Sequence, residues 1–392
     1  MSDYVVQAAD LLGLDDGLST DEKAVRDAVR AYCERRLTPS MGDWFEAGAI
    51  PEIREIAREL GSLGALGMHL VGYGCPGMSA VDYGLACTEL EACDSAIRSL
   101  VSVQGSLAMF AIWRFGSEAQ KQEWLPAMAT GDVIGCFGLT EPDHGSDPGG
   151  MRTSAKRDGS DWVLSGRKAW ITNGSIADVA IVWARTEAGI RGFIVPTGLA
   201  GFSAPEIKHK LSLRASVTSY LVLDDVRLPA DAELPSAQGL SAPLSCLNEA
   251  RYGIAWGAMG AARTTFECAL DYAKTHIQFG KPIAGFQLTQ AKLVEMALEL
   301  NKGLLLALHL GRRKDAGVLA PEQVSFGKLN NTRAALEICR TARTVLGANG
   351  ISLEYPVIRH MNNLESVLTY EGTAEMHTLV LGQALTGIAA YR

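Results

Sequence analysis

Along residues 20 to 130, apolar positions recur every third or fourth residue between charged stretches. AVRDAVRAYCERRL and VDYGLACTELEACD show the pattern most clearly, and Gly-rich turns separate the segments. That spacing predicts helices, one of them over 51–68. Near residue 135 the period changes. DWVLSG, KAWITNG, DVAIVWAR, RGFIVPTG and SYLVLDDVRLP are short, rich in β-branched and aromatic residues, and punctuated by Gly, Asn, Asp and Pro. They read as antiparallel strands of a small sheet or barrel. From about Asn248 the helical period returns over 248–276, 287–313, 321–346 and 373–390, long helices joined by short turns, which predicts a bundle. The fold class is α+β in three successive parts: an N-terminal helical domain (1–134), a middle β-sheet or barrel domain (135–245) and a C-terminal four-helix bundle (246–392).

Composition narrows the class of function. With 392 residues and 47% hydrophobic content, the chain can bury a large core. A net charge of −8 and a pI near 5.5 argue against a nucleic-acid partner held by phosphate neutralisation. The eight cysteines are scattered with no CxxC pair, which fits a reduced compartment and neither a disulfide framework nor a zinc site, so no metal is expected. The N-terminal MSDYVVQAADLLGLDDG carries acids where a signal or transit peptide needs basic residues. No apolar run reads as long enough to span a membrane. The default is a soluble cytoplasmic protein.

Two motifs attract other readings. VGYGCPG places Gly72, Gly74 and Gly77 at GxGxxG spacing with Glu91 and Asp94 downstream, but a dinucleotide fold needs a strand on each side and the flanks read as helix. DHGSD gathers Asp143, His144, Ser146 and Asp147, yet catalytic triads assemble from distant segments and no strand–elbow–helix frames this serine.

TYEGTAEMH, residues 369–377, places a lone Glu371 before a Gly-Thr pair and a new helix. Alone, it reads as a turn with Thr373 as N-cap and a solvated carboxylate. Its company changes that. CFGLTEPDHGSD (136–147), WITN (170–173), QFGKPIAGFQ (278–287), LGANG (346–350) and TYEGT together resemble the acyl-CoA dehydrogenase family, from about residue 20 to the C-terminus.

The resemblance implies FAD bound between domains and an acyl-CoA substrate. It also implies an electron-transfer flavoprotein as acceptor and a homotetramer built as a dimer of dimers. Phe137, Leu139 and Thr140 would meet the isoalloxazine edge, and Gly145 and Ser146 would let their loop approach flavin and acyl-CoA. Trp170 would flank the ring, with Ile171 and Thr172 along the edge that receives hydride; alone, this tryptophan would read as core. Phe279, Gln287, Thr344, Gly347 and Ala348 would serve the pyrophosphate and adenosine end from a neighbouring subunit, with Thr373 and Glu375 at a helix start that favours anions. Where the family usually has arginine, two residues before QF, this chain has His276, whose imidazole cannot make the permanent bidentate contact of a guanidinium.

In this setting Glu371 is the expected base for the Cα proton, and the Glu371 or Gly372 N–H can polarise the thioester carbonyl. The other position at which relatives carry the base is Ala250 here, before Arg251. Asn248 and Arg251 match positions that contact the CoA arm. IRSLVSVQGS (97–106) resembles the glutaryl-CoA dehydrogenase subgroup, in which Arg98 would receive the distal carboxylate with Ser99 beside it; alone, Arg98 reads as a surface or ion-paired arginine. Glu91 matches an acidic position of decarboxylating members, so the resemblance implies oxidation followed by decarboxylation to crotonyl-CoA. A non-decarboxylating glutaryl-CoA dehydrogenase, a relative acting on another acyl chain, an oxidase and a catalytically silent flavoprotein remain as alternatives.

Overall fold

A computed structural model describes residues 8–390; part of the acidic N-terminal stretch, residues 1–7, lies outside them. The first layer is helical: α1 (Thr20–Tyr32), α2 (Met41–Ala47), α3 (Ile53–Ser62), α4 (Ala80–Cys93), α5 (Ser95–Ser102), α6 (Phe110–Phe115) and α7 (Glu118–Ala129). α1 opens on a capping box, in which Ser19 Oγ accepts from the Glu22 N–H at 3.2 Å and Glu22 accepts from the Ser19 N–H at 2.8 Å. The helix expected over 51–68 stops at Ser62, because Gly64 and Gly67 turn the chain with φ of 75° and 65°. VGYGCPG is a two-residue-per-strand hairpin, β1 (Val71–Gly72) with β2 (Cys75–Pro76), lying between helices. The dinucleotide frame is therefore absent there.

Between α5 and α6 the helix runs on as π-helix over Val103–Met109. Ser95–Phe115 is thus one continuous helical run, long and apolar enough to cross a membrane, where the sequence reading had found none; 94% of its apolar window is buried inside the protein. It is a core helix. Gln104 on it donates to the Met128 and Val133 carbonyls at 2.9 and 2.8 Å and accepts from the Gly135 N–H at 2.7 Å, so this helix positions the first strand of the sheet.

The seven-stranded sheet contains β3 (Gly135–Gly138), β4 (Ser154–Asp158), β5 (Asp161–Thr172), β6 (Val179–Thr186), β7 (Gly189–Pro196), β8 (Phe202–Ser203) and β9 (Thr218–Leu228), in the order β3-β6-β4-β5-β9-β8 with β7 on β6. Two expectations need correction. The sheet is mixed, because β3 enters from a helix and not from a hairpin, and it pairs parallel with β6. DWVLSG and KAWIT are one strand, because Gly166 makes a bulge and no turn; a Cβ there would lie 2.6 Å from Thr153 Cα.

The last layer is the bundle α8 (Ser241–Thr275), α9 (Gln287–Asp315) and α10 (Pro321–Val345), with α11 (Val357–Thr369) and α12 (Ala374–Thr386). A two-residue hairpin, β10 (Ile277–Gln278) with β11 (Lys281–Pro282), joins α8 to α9. α8 begins ahead of the expected 246 boundary, and the segment 373–390 ends as a helix at Thr386. α11 lies outside the expected helices, although the apolar positions of its sequence VIRHMNNLESVLT carry helical spacing.

Candidate active site

The turn Tyr370–Gly372 joins α11 to α12. Thr373 caps α12, accepting from the Met376 N–H at 3.3 Å, as expected of its hydroxyl. Glu371 is not the solvated carboxylate of the local reading. Its Oε2 is buried with no hydrogen-bond partner, and its backbone takes φ of 52°, a conformation uncommon outside glycine. Burial pushes its pKa up, against the pull of Arg98, Lys328 and Arg251, while Glu91 adds to the rise. Each carbonyl of the turn is held by a cation. Arg251 Nε donates to the Glu371 carbonyl at 2.7 Å, and Lys328 Nζ donates to those of Tyr370 and Gly372, the latter at 2.6 Å.

Arg98 is fully buried on α5. Its Nε donates to Glu91 Oε2 at 2.7 Å, its Nη2 to the Tyr370 hydroxyl, and its guanidinium lies 5.6 Å from the Tyr370 ring centre. The ion-paired reading of Arg98 is thus true and incomplete, since the same guanidinium reaches the residue next to Glu371. Ser99 Oγ is buried without a partner. Asn248 accepts from Arg251 Nη1 at 3.1 Å. Arg98, Ser99, Glu91, Asn248, Arg251, Glu371 and Gly372 therefore come together from three helices and one turn. In charge, Arg98, Arg251 and Lys328 stand against Glu91 and Glu371. Moving a proton from Lys328 to Glu371 leaves the same single positive excess.

Asp94 was singled out only for the rejected dinucleotide reading, yet it orders this assembly. It caps α5 by accepting from the Ala96 N–H at 2.7 Å, and it also accepts from Arg359 and, at 2.9 Å, from Asn363 on α11. Asn363 Oδ1 in turn accepts from the Leu213 N–H of the sheet layer at 2.7 Å. The helix that carries Arg98 and the helix that leads to Glu371 are thereby fixed to one carboxylate.

A second group lies along β3 and β5. Phe137, Leu139 and Ile171 are buried, and the Thr140 carbonyl accepts from the Ala169 N–H at 2.9 Å. A shift in register between Lys168 and Ile171 gives Trp170 a φ of 61° and leaves it 61% exposed, so the core reading of this tryptophan fails. The half-buried Thr172 ends the strand. Beneath the loop, Lys168 Nζ, fully buried, donates to the Leu139 carbonyl at 3.1 Å and to Glu141 at 2.9 Å. Glu141 also accepts from the Arg152 and Thr153 N–H groups, which with Lys168 overcome its burial and hold its carboxyl down at about 2, while burial lowers Lys168 to about 8. Neither residue stood out in the sequence. Gly145 and Ser146 are exposed on the loop, and His144 Nε2 is buried without a partner, so no His–Ser pair forms.

The third group is drawn from the ends of α8 and α10, the start of α9 and the first turn of α12. His276 ends α8 and stacks on Tyr272, ring centres 4.8 Å apart; Tyr272 OH accepts from Asn349 beside Thr344, Gly347 and Ala348. Phe279 has φ of 52° and is 94% exposed, Gln287 opens α9, and Glu375 is exposed in the first turn of α12. Two aromatic rings forced outward, Trp170 and Phe279, suit a flat hydrophobic group laid against them.

Residues from the helical layer and the bundle thus gather around one desolvated carboxylate, with the mixed sheet packed beside them. Profiles of the acyl-CoA dehydrogenase N-terminal, middle and C-terminal domains match residues 19–132, 136–226 and 237–386, and the chain belongs to the acyl-CoA dehydrogenase family. It is similar to a glutaryl-CoA dehydrogenase from Mycobacterium smegmatis at 68% identity, with a TM-score of 0.97 over 98% of this chain and 99% of that one. A second structure of a glutaryl-CoA dehydrogenase from that organism, in complex with FADH2, matches at 62% identity, with a TM-score of 0.97 over the same shares. The human mitochondrial short-chain specific acyl-CoA dehydrogenase is 34% identical over 370 residues, 93% of this chain and 89% of its own length.

Proposed function

We propose that the chain catalyses FAD-dependent α,β-dehydrogenation of glutaryl-CoA with decarboxylation to crotonyl-CoA and CO2, passing electrons to an electron-transfer flavoprotein, as a cytoplasmic homotetramer. The observation that carries the chemistry is the buried, unpartnered carboxylate oxygen of Glu371, since a base for a weakly acidic C–H needs desolvation. Glu371 takes the Cα proton, and the Glu371 or Gly372 N–H steadies the thioester oxygen as charge builds on it. Leu139–Thr140 and Trp170–Thr172, with a second chain's Phe279 and His276, would hold FAD, which when bound would supply the hydride acceptor for Cβ. Arg98 and the positive excess of the pocket accept the distal carboxylate, which neutral acyl chains lack. Loss of CO2 from the glutaconyl thioester leaves a dienolate, and the proton on Glu371 returns to its Cγ.

The test is anaerobic bleaching of the flavin by a panel of acyl-CoAs, with labelled CO2 collected. Glutaryl-CoA should bleach fastest and release CO2, and the reduced flavin should react slowly with air. Preference for an uncharged chain would remove the substrate assignment, bleaching without CO2 would remove decarboxylation, and fast reaction with air would make the enzyme an oxidase.

A further inference from the structure

Lys328 lies on α10, in the helical bundle, yet its ammonium serves one turn of another segment. Nζ donates to the carbonyl before Glu371 and, at 2.6 Å, to the carbonyl after it. The residues between take φ of 52° and 94°, a left-handed pair whose first member is not glycine. Such a backbone persists only where its surroundings over-determine it, and here the bracket comes from a side chain that is itself fully buried. A lysine buried at this depth has no water to solvate it, so the two carbonyls and the field of Glu371 are what compensate its desolvation.

We propose that Lys328 is a positioning residue for the base: it grips the carbonyls on both sides of Glu371, fixes the turn that orients the carboxylate, and sets the field in which that carboxylate titrates. This rests on the reading of Glu371 as the base. The groups that face Lys328 are Glu371 itself, Arg251 from α8, Arg98 from α5 and His377 from α12, with Glu91 opposing from behind Arg98. Burial pushes Lys328 down to about 7 and Glu371 up, and it holds His377 neutral near 3. Removing the Lys328 cation takes away one of the groups that favour the ionised base, so the base should become harder to ionise.

Lys328→Met keeps the side-chain length and removes both the donors and the charge, whereas Lys328→Gln keeps a donor without the charge. Both are prepared as the FAD-loaded enzyme, and the limiting rate of anaerobic flavin reduction is followed against pH with the acyl-CoA that bleaches wild type. FAD content and acyl-CoA affinity should stay within about threefold, while the limiting rate in Lys328→Met falls about 100-fold, the size expected for a misplaced reacting group. Lys328→Gln should recover part of that rate, and the acid limb should move to higher pH in both. A wild-type rate and limb in either variant, or a loss confined to FAD content or acyl-CoA binding, overturns the proposal. If Lys328→Met does not fold, Lys328→Gln decides by the same criteria. Glu371→Gln separates the two readings: if that variant still reduces flavin, the base assignment fails, and if it is inactive beside normal Lys328 variants, only the role of Lys328 fails.

Discussion

At the scale of single residues, burial sets the Glu371 carboxylate apart from its exposed counterparts by raising its pKa. Glu371→Gln preserves size and should retain FAD and acyl-CoA binding while flavin reduction falls roughly 10²–10⁴-fold or more. Near-normal reduction in stopped flow would end the assignment. If Glu371 is the base it must work deprotonated, and since burial raises its pKa, activity should fade as pH drops through a value above the ordinary 4.5 for this side chain. A limb at or below that value would mean the pocket is wetter than the structure implies. Arg98 calls for a more careful variant. Arg98→Met alone strands Glu91, which would cost about 3–5 kcal/mol of folding stability and confuse the kinetics. Glu91→Gln combined with Arg98→Met removes both charges together. It should lower kcat/KM for glutaryl-CoA by roughly 30- to several-thousand-fold and spare pentanoyl-CoA. Equal losses for both substrates would make Arg98 structural.

At the scale of elements, the loop after β3 is tied to β5 by a buried ion pair between Glu141 and Lys168. Glu141→Gln leaves the Lys168 ammonium buried without its counter-charge and should lower stability by about 3–5 kcal/mol, read as a drop in Tm. The loop at Leu139 should loosen with it, so that FAD dissociates faster. A variant with unchanged Tm and FAD retention would show that the backbone alone holds the loop. Since the folded state holds Glu141 at about 2, its share of stability is present above the ordinary value of 4.5 and is lost as pH falls from there toward 2. The helices and their order were legible because amphipathic periods and Gly punctuation are local. The parallel pairing of β3 with β6, the single strand through Gly166 and the separate α11 were not, because neighbours distant in sequence decide them. The same holds within the site. The YEGT turn and Arg98 stood out as motifs, whereas Lys328, Asp94, Glu141 and Lys168 gain their roles from partners that only the fold supplies.

At the scale of the whole molecule, the bundle presents more apolar surface than one chain uses. Val294, Leu298 and Leu305 recur at four- and seven-residue spacing along α9 and are half exposed, and Phe279 and Leu288 stand almost fully in solvent. Such a stripe, on a helix whose other face is buried, suits a second copy of the chain. Leu298→Arg puts a charge on that stripe and should shift sedimentation from the proposed tetramer to smaller species. If the adenosine end of FAD sits on a neighbouring chain, FAD should be lost from those smaller species in parallel, because a ligand bound across two chains stabilises their association by the affinity it gains there. His276→Arg tests the same junction without disturbing assembly. If the FAD pyrophosphate reaches the end of α8, a guanidinium there would offer it a permanent charge and a bidentate fork, where an imidazole offers at most one donor per nitrogen. FAD release at neutral pH, followed by the recovery of flavin fluorescence on dilution, should slow in His276→Arg while the assembly sediments as in wild type. Unchanged or faster release from an assembly of wild-type size would place His276 away from the phosphates, with its stacking on Tyr272 then a matter of packing alone.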